Sequence, residues 1–141
     1  MRRAQRILVG LKTLDHAYEL TEFACRLGAA EASLLLVHVI ELPDPTPLDA
    51  DVPNLEATAK QILGKATRIA NRSHMKVRTL ILRAHNVALA LLDEMKQNRI
   101  ELAVLGYHHH RTLGEIILGT TARRLAKNAP CHIVVSIPLR A

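Results

Sequence analysis

The chain has 141 residues and no tryptophan, and one Phe with two Tyr bring its aromatics to only 2%. A core here has to be built from Leu, Ile, Val and Ala, within a hydrophobic fraction of 49%. So few rings also offer no platform for stacking bases, which argues against a nucleic-acid partner. Cysteine is scarce too: Cys25 and Cys131 lie far apart and form no metal-ligand spacing. They read as buried, reduced thiols of a cytoplasmic protein. Long hydrophobic runs are missing. The longest, "ASLLLVHVI", is far too short to cross a bilayer, and "MRRAQRILVG" turns polar at Lys12 before a signal-peptide core develops. A soluble chain without an export signal is expected. The usual catalytic patterns are absent as well: there is no HExxH, no GxxxxGK[ST], and no Ser or Cys placed with a His and a carboxylate in recognisable order. Nothing marks a catalytic residue.

What is present is a basic balance, with a formal charge of +6 and a pI near 9.8. Such a balance serves solubility and also favours a polyanionic or membrane-surface partner. The basic residues are scattered, with Arg2, Arg3 and Arg6 near the start and Arg111, Arg123, Arg124 and Lys127 near the end. The length fits one domain, residues 1–141, with no internal repeat, low-complexity tract or linker.

Hydrophobic periodicity predicts a strand at 6–11, then a helix capped by Asp15 with apolar positions Ala17, Leu20, Ala24 and Leu27. Residues 33–42 read as a second strand, apolar on both faces except at His38, which reads as a satisfied core histidine. The stretch 43–54 holds four of the six prolines and is predicted loop. A helical stripe follows through Leu55, Ala59, Ile62, Ala66 and Ile69, with Asn54 placed to cap it. Strands are expected at 76–83, 101–106 and 131–137, and helices from Asn86 through Met95 and over 120–129. Continuous apolar strands alternating with amphipathic helices define an α/β fold, a parallel sheet covered by helices on both faces.

The segment "LGYHHHRTLGEIILGTTARRL", 105–125, begins at the carboxyl end of the fourth strand, where ligands bind in open α/β sheets. Gly119, Thr120 and Thr121 open the last helix, whose first amides lack intrahelical partners and favour an anion. The same pattern is also an ordinary helix cap. Histidines 108, 109 and 110 can chelate a metal through two rings, but with His85 as the only further candidate no native metal is expected. Their imidazoles begin to charge near pH 6, which predicts pH-dependent anion affinity.

"GYHHHRTLGEIILGTTARRLAKNAPCHIVV" resembles the C-terminal signature of the universal stress protein family, in which Gly, two residues, Gly, nine residues, Gly and Ser or Thr form the nucleotide-phosphate loop. "RILVGLKTLDHA" and "LLLVHVIELP" resemble the family's first strand and turn and its second strand. The resemblance implies a five-stranded parallel sheet in the order 3-2-1-4-5, Rossmann-like, with strands one and four adjacent around a crevice. It implies ATP or another adenine nucleotide, with Mg2+, as ligand in some members, and a regulatory rather than catalytic role. It also implies a homodimer through the last strand, Cys131 to Ile137. Carried over by position, Gly106 passes under the ribose, Gly119 and Thr120 meet phosphates with Thr121 following, and the Val39 backbone lies by the adenine. Two positions depart from the pattern. His109 stands where the second glycine belongs, and Lys12 replaces the usual Asp, giving a donor where an acceptor is normal.

"HVIELPDPTPLD" and "RAHNVALALLDEM" look more like the stress-protein domains attached to amino-acid permeases and cation antiporters. That likeness implies a place at the inner face of the membrane and a protein or membrane-transporter partner. Two readings result: a regulatory module holding a nucleotide or other anion between strands one and four, or a nucleotide-independent, transporter-associated interaction domain.

Overall fold

A computed structural model describes residues 2–106, 111–112, 115–116 and 119–137, with backbone only for the two short pairs. In chain order the elements are β1 (Ala4–Gly10), α1 (Leu14–Leu27), β2 (Gly28–Glu41), α2 (Pro53–Arg72), β3 (Lys76–Ala84), α3 (Val87–Gln97), β4 (Leu102–Gly106), β5 (Arg111–Thr112), β6 (Glu115–Ile116), α4 (Thr120–Asn128) and β7 (His132–Ser136). Five strands pair in parallel in the order β3-β2-β1-β4-β7, the 3-2-1-4-5 order implied by the resemblance. β5 and β6 form a separate antiparallel pair of two residues each. Strands so short carry no period, so the sequence pattern did not predict them.

Alternation along the strands decides which helix meets which face. Ile7, Val9, Leu34, Leu36 and Val104 pack with α1 and α2 through Ala17, Leu20, Ile62 and Ala66. Leu8, Leu35, Val37, Ala103 and Leu105 turn the other way and pack with Leu91, Met95 and Leu125 of α3 and α4. Both faces are therefore covered, and the central runs of β1, β2 and β4 are apolar because neither of their faces meets water, while the edge strands β3 and β7 stay partly exposed. Each fully buried aliphatic side chain contributes roughly 1.5–3 kcal/mol. No large ring is needed to fill either layer.

The structure corrects several local expectations. β2 begins at Gly28, five residues earlier than its apolar run. Its opening "GAAEA" is small and helix-favouring, its register with β1 is irregular, and Glu31 takes a positive φ of 59°. Asp15 does not cap α1: Thr13 is the capping residue, without a side-chain bond, and Asp15 sits in the first turn where its charge suits the helix dipole. Asn54 does not cap α2 either, because Val52 holds that place and Pro53 fills the first helical position, where its missing N–H costs nothing. Leu55 is exposed, not part of the buried stripe. Asn86 caps α3 as expected, accepting from the Leu89 amide at 3.1 Å.

α3 ends in a reverse turn in which the Ile100 amide donates to the Met95 carbonyl at 3.0 Å and Arg99 lies in the left-handed region, φ 50°. Glycine is usual there. Cys25 is buried and Cys131 only half-buried, so the expectation of two buried thiols holds for the first alone. Burial pushes both thiols above their ordinary pKa, against smaller lowering hydrogen bonds from Ser73 to Cys25 and from the backbone of Ala103 to Cys131. Among the described residues no helix is long and apolar enough to cross a membrane.

Candidate functional site

The chain runs from β1 outward through β2 and β3, then crosses back to place β4 on the other side of β1. The strand order reverses at β1 and β4, which stay paired to Gly10 and Leu105, and the helices that follow them, α1 and α4, pack on opposite faces and leave a crevice beyond the strand ends. It encloses about 230 Å³. Its walls include Gly10, Leu11 and Lys12 from the end of β1, Val37, Val39 and Glu41 from β2, Val87 and Leu91 from α3, and Leu105 and Gly106 from β4. Gly119, Thr120, Thr121 and Ala122 close it with the start of α4. Six of the seven site residues expected from sequence, Lys12, Val39, Gly106, Gly119, Thr120 and Thr121, thus line one cavity. The seventh, His109, lies outside the described residues, as do His108 and His110.

A buried histidine shapes the rim. His38 is 8% exposed, and its Nδ1 lies 2.7 Å from the Leu11 carbonyl, to which it must donate because a carbonyl only accepts. The Leu11 amide in turn donates to Val37 at 2.8 Å. Leu11 is clamped from both sides, and the exposed Lys12 side chain starts from a fixed point. His38 is therefore a satisfied core histidine. His85 is used in a similar way, its Nδ1 lying 2.9 Å from the Leu42 carbonyl. Its bond holds the end of β2. Among the described residues no group of His, Cys, Asp and Glu is placed to hold a metal.

Arg83 fixes the proline-rich loop after β2. Its guanidinium donates to the Leu48 carbonyl at 3.1 Å, to the Ala50 carbonyl and to the Glu56 carboxylate. The loop beyond Glu41 is thereby tied to α2 and β3.

The floor of the crevice is apolar and its ends are polar. At one end the first turn of α4 presents its amides with no side-chain cap from Gly119. α1 and α2 also begin without a side-chain cap, so what distinguishes α4 is that its start faces a cavity. At the other end stand Lys12 and Glu41, both exposed and of opposite sign. Sequence reasoning missed Glu41. Lys12 came from the resemblance, at the place of the family's usual Asp, and no such position pointed to Glu41. With a carboxylate present, the described rim carries both signs and is not a purely anion-seeking surface.

The glycines differ in what they are for. A side chain at Gly106 would point toward α1, with its β-carbon 3.1 Å from Leu20 Cδ1 and 3.4 Å from His16 Nδ1. Close packing of α1 is enough to account for that glycine. Among the described residues nothing lies within 4 Å of a β-carbon added at Gly119, and the backbone, φ −64°, is open to any residue. Neither packing nor backbone requires a glycine there.

Among curated proteins none matches the chain. Among solved structures, a universal stress protein in complex with cAMP superposes with a TM-score of 0.72 at 17% identity, covering 96% of this chain and 98% of that one. The universal stress protein from Archaeoglobus fulgidus in complex with dAMP gives 0.69 at 19% identity, covering 93% and 96%. A universal stress protein family protein from Arabidopsis thaliana with AMP bound gives 0.66 at 14% identity, covering 96% and 92%. At these identities the likeness shows a shared fold. The model of the universal stress protein family matches residues 3–136, and with nearly the whole chain matched, the protein belongs to the universal stress protein family.

Proposed function

We propose that the protein is a regulatory module whose crevice between β1 and β4 binds an adenine nucleotide, the base against the apolar wall of Val37, Val39 and Leu91 and the phosphate at the start of α4. The observation that carries this reading is the convergence of Gly119, Thr120 and Thr121 with the ends of β1 and β4 on one cavity. Unpaired amides at a helix start suit a phosphate, and the Thr120 hydroxyl adds a donor. The structures with cAMP, dAMP and AMP support it, since they share the fold. A cavity of about 230 Å³ favours a ligand whose nucleoside is enclosed and whose phosphates extend along α4.

The role is regulatory rather than catalytic, with binding read out as a change at the start of α4 that reaches a partner. A homodimer through Cys131 to Ile137 fits the topology, because β7 lies at one edge of the sheet. The test is calorimetric titration of metal-free protein with ATP, ADP, AMP and cAMP, with and without Mg2+, beside Thr120→Val. Saturable binding that weakens in the variant supports the nucleotide reading. Silence across the panel overturns it and favours the nucleotide-independent, transporter-associated domain.

A further inference from the structure

At the opposite end of the sheet a second concavity opens where α3 and α4 finish and β1, β4 and β7 begin. It is wide and open to solvent, with a volume of about 760 Å³, and its base includes Ile100 and the half-buried Cys131. Four side chains on its rim, Arg6, Lys96, Arg99 and His132, are exposed and basic or protonatable. One acid, Glu101, lines it, and that carboxylate is already occupied. It accepts from the amides of Gln5 at 2.9 Å and Arg6 at 3.1 Å, and Arg2 lies 3.5 Å away. Those amides, first that of Gln5, hold its pKa below the ordinary carboxylate value against some desolvation, with the Arg6 and Arg2 charges adding to the effect. Lys96 and Arg99 form no ion pair among the described residues.

Arg99 is held in place by its own backbone. Its carbonyl accepts from Arg6 Nε at 2.8 Å, and its left-handed φ turns the chain sharply at the groove edge. The guanidinium therefore projects from a fixed turn rather than from a loose loop.

We propose that this groove docks an acidic peptide segment of a partner protein, the carboxylates of its Asp and Glu side chains meeting Lys96 and Arg99. Charge complementarity supplies the argument: these two cations have no ion pair among the described residues, whereas Glu101 is already met by the Gln5 and Arg6 amides and by the Arg6 and Arg2 side chains. Single-stranded nucleic acid would use stacking on large rings, and among the described residues no Phe, Tyr or Trp lines the groove. Pairs of this kind are screened by salt, with a Debye length of about 10 Å at 0.1 M.

The experiment uses the whole chain and a fluorescein-labelled peptide of about twelve residues rich in Glu and Asp, read by anisotropy at low and physiological salt. Lys96→Gln with Arg99→Gly removes two charges from the groove, and glycine suits the left-handed φ at 99. Arg123→Gln with Arg124→Gln removes the same charge from the exposed side of α4, outside the groove. Circular dichroism establishes that both variants fold. The expected result is saturable binding, weakened at least about tenfold by the groove pair and less than about twofold by the α4 pair. Equal losses in both variants would show attraction by net charge alone and overturn the proposal. So would absence of binding at low salt, or a duplex oligonucleotide or phosphatidylserine vesicle that binds more tightly and depends on the same two side chains.

Discussion

Gly119→Ala separates a structural glycine from a ligand-facing one. Among the described residues nothing lies within 4 Å of the added β-carbon, and the φ of −64° is unstrained for alanine, so those residues impose no packing penalty. Two small effects remain. Alanine is a poorer residue than glycine before a helix, by about 0.5–1 kcal/mol. Stiffening the unfolded chain returns about 0.4–1 kcal/mol. These nearly cancel, and since 1 kcal/mol moves the midpoint of a domain this size by about 3–5 °C, Tm should stay within about 2 °C of the parent. Nucleotide affinity should behave differently. A phosphate seated on the amides of 119–121 approaches where the methyl would stand, and one charge-assisted hydrogen bond lost costs about 1.5–3 kcal/mol, roughly 10- to 150-fold in Kd. Thermal melts and AMP titrations on the same preparation decide the matter. An unchanged Kd with an intact fold would refute the placement of phosphate at α4, and a Tm loss beyond about 5 °C would refute the structural account of Gly119.

Lys12→Asp should strengthen binding of adenosine relative to AMP, because it restores an acceptor and removes a cation; a fall in adenosine affinity by calorimetry would contradict this. Arg83→Met leaves the Leu48 and Ala50 carbonyls and the Glu56 carboxylate without their shared donor, and should cost about 2–4 kcal/mol in urea unfolding. Glu101 has a lowered folded pKa, so the stability it contributes is present above the unfolded value near 4.3 and lost as pH falls through the folded one. Glu101→Gln should accordingly flatten the acid limb of a pH–stability profile below about pH 4.5 and leave its neutral part similar in slope. With both thiols pushed up by burial, labelling by a thiol-disulfide reagent at pH 7.5 should be slow in the native protein, with Cys131 ahead of Cys25.

The strands were legible where their burial was two-sided. Runs such as "ILVG" and "LLLVHVI" read as buried strands, and Asn86 announced its helix by a cap that the structure contains. The start of β2 was not legible, because "GAAEA" joins the sheet through backbone pairing while its small side chains show no strand pattern. Sequence periodicity alone did not order the strands; that came with the family signature, and the pairing of β1 with β4 agrees with it. In the crevice, Gly119, Thr120 and Thr121 were legible as a helix start, whereas Lys12, Val39 and Gly106 came with the family resemblance. Glu41, Val87 and Leu91 were missed, since nothing local marks a helix face or a strand end as turned toward a cavity. The groove at the other end was invisible for the same reason: Arg6, Lys96, Arg99 and His132 are scattered in sequence and gather only when three strands and two helix ends meet.

α4 has one fully buried residue, Leu125, and nine residues in all, a rod of about 13.5 Å. Its first turn closes the crevice and its last residues run into Ala129, Pro130 and Cys131, which line the basic groove. One short element thus borders both concavities, so a ligand that shifts α4 at Thr120 would also move the residues around Ala129, and any coupling carried this way would act equally in both directions.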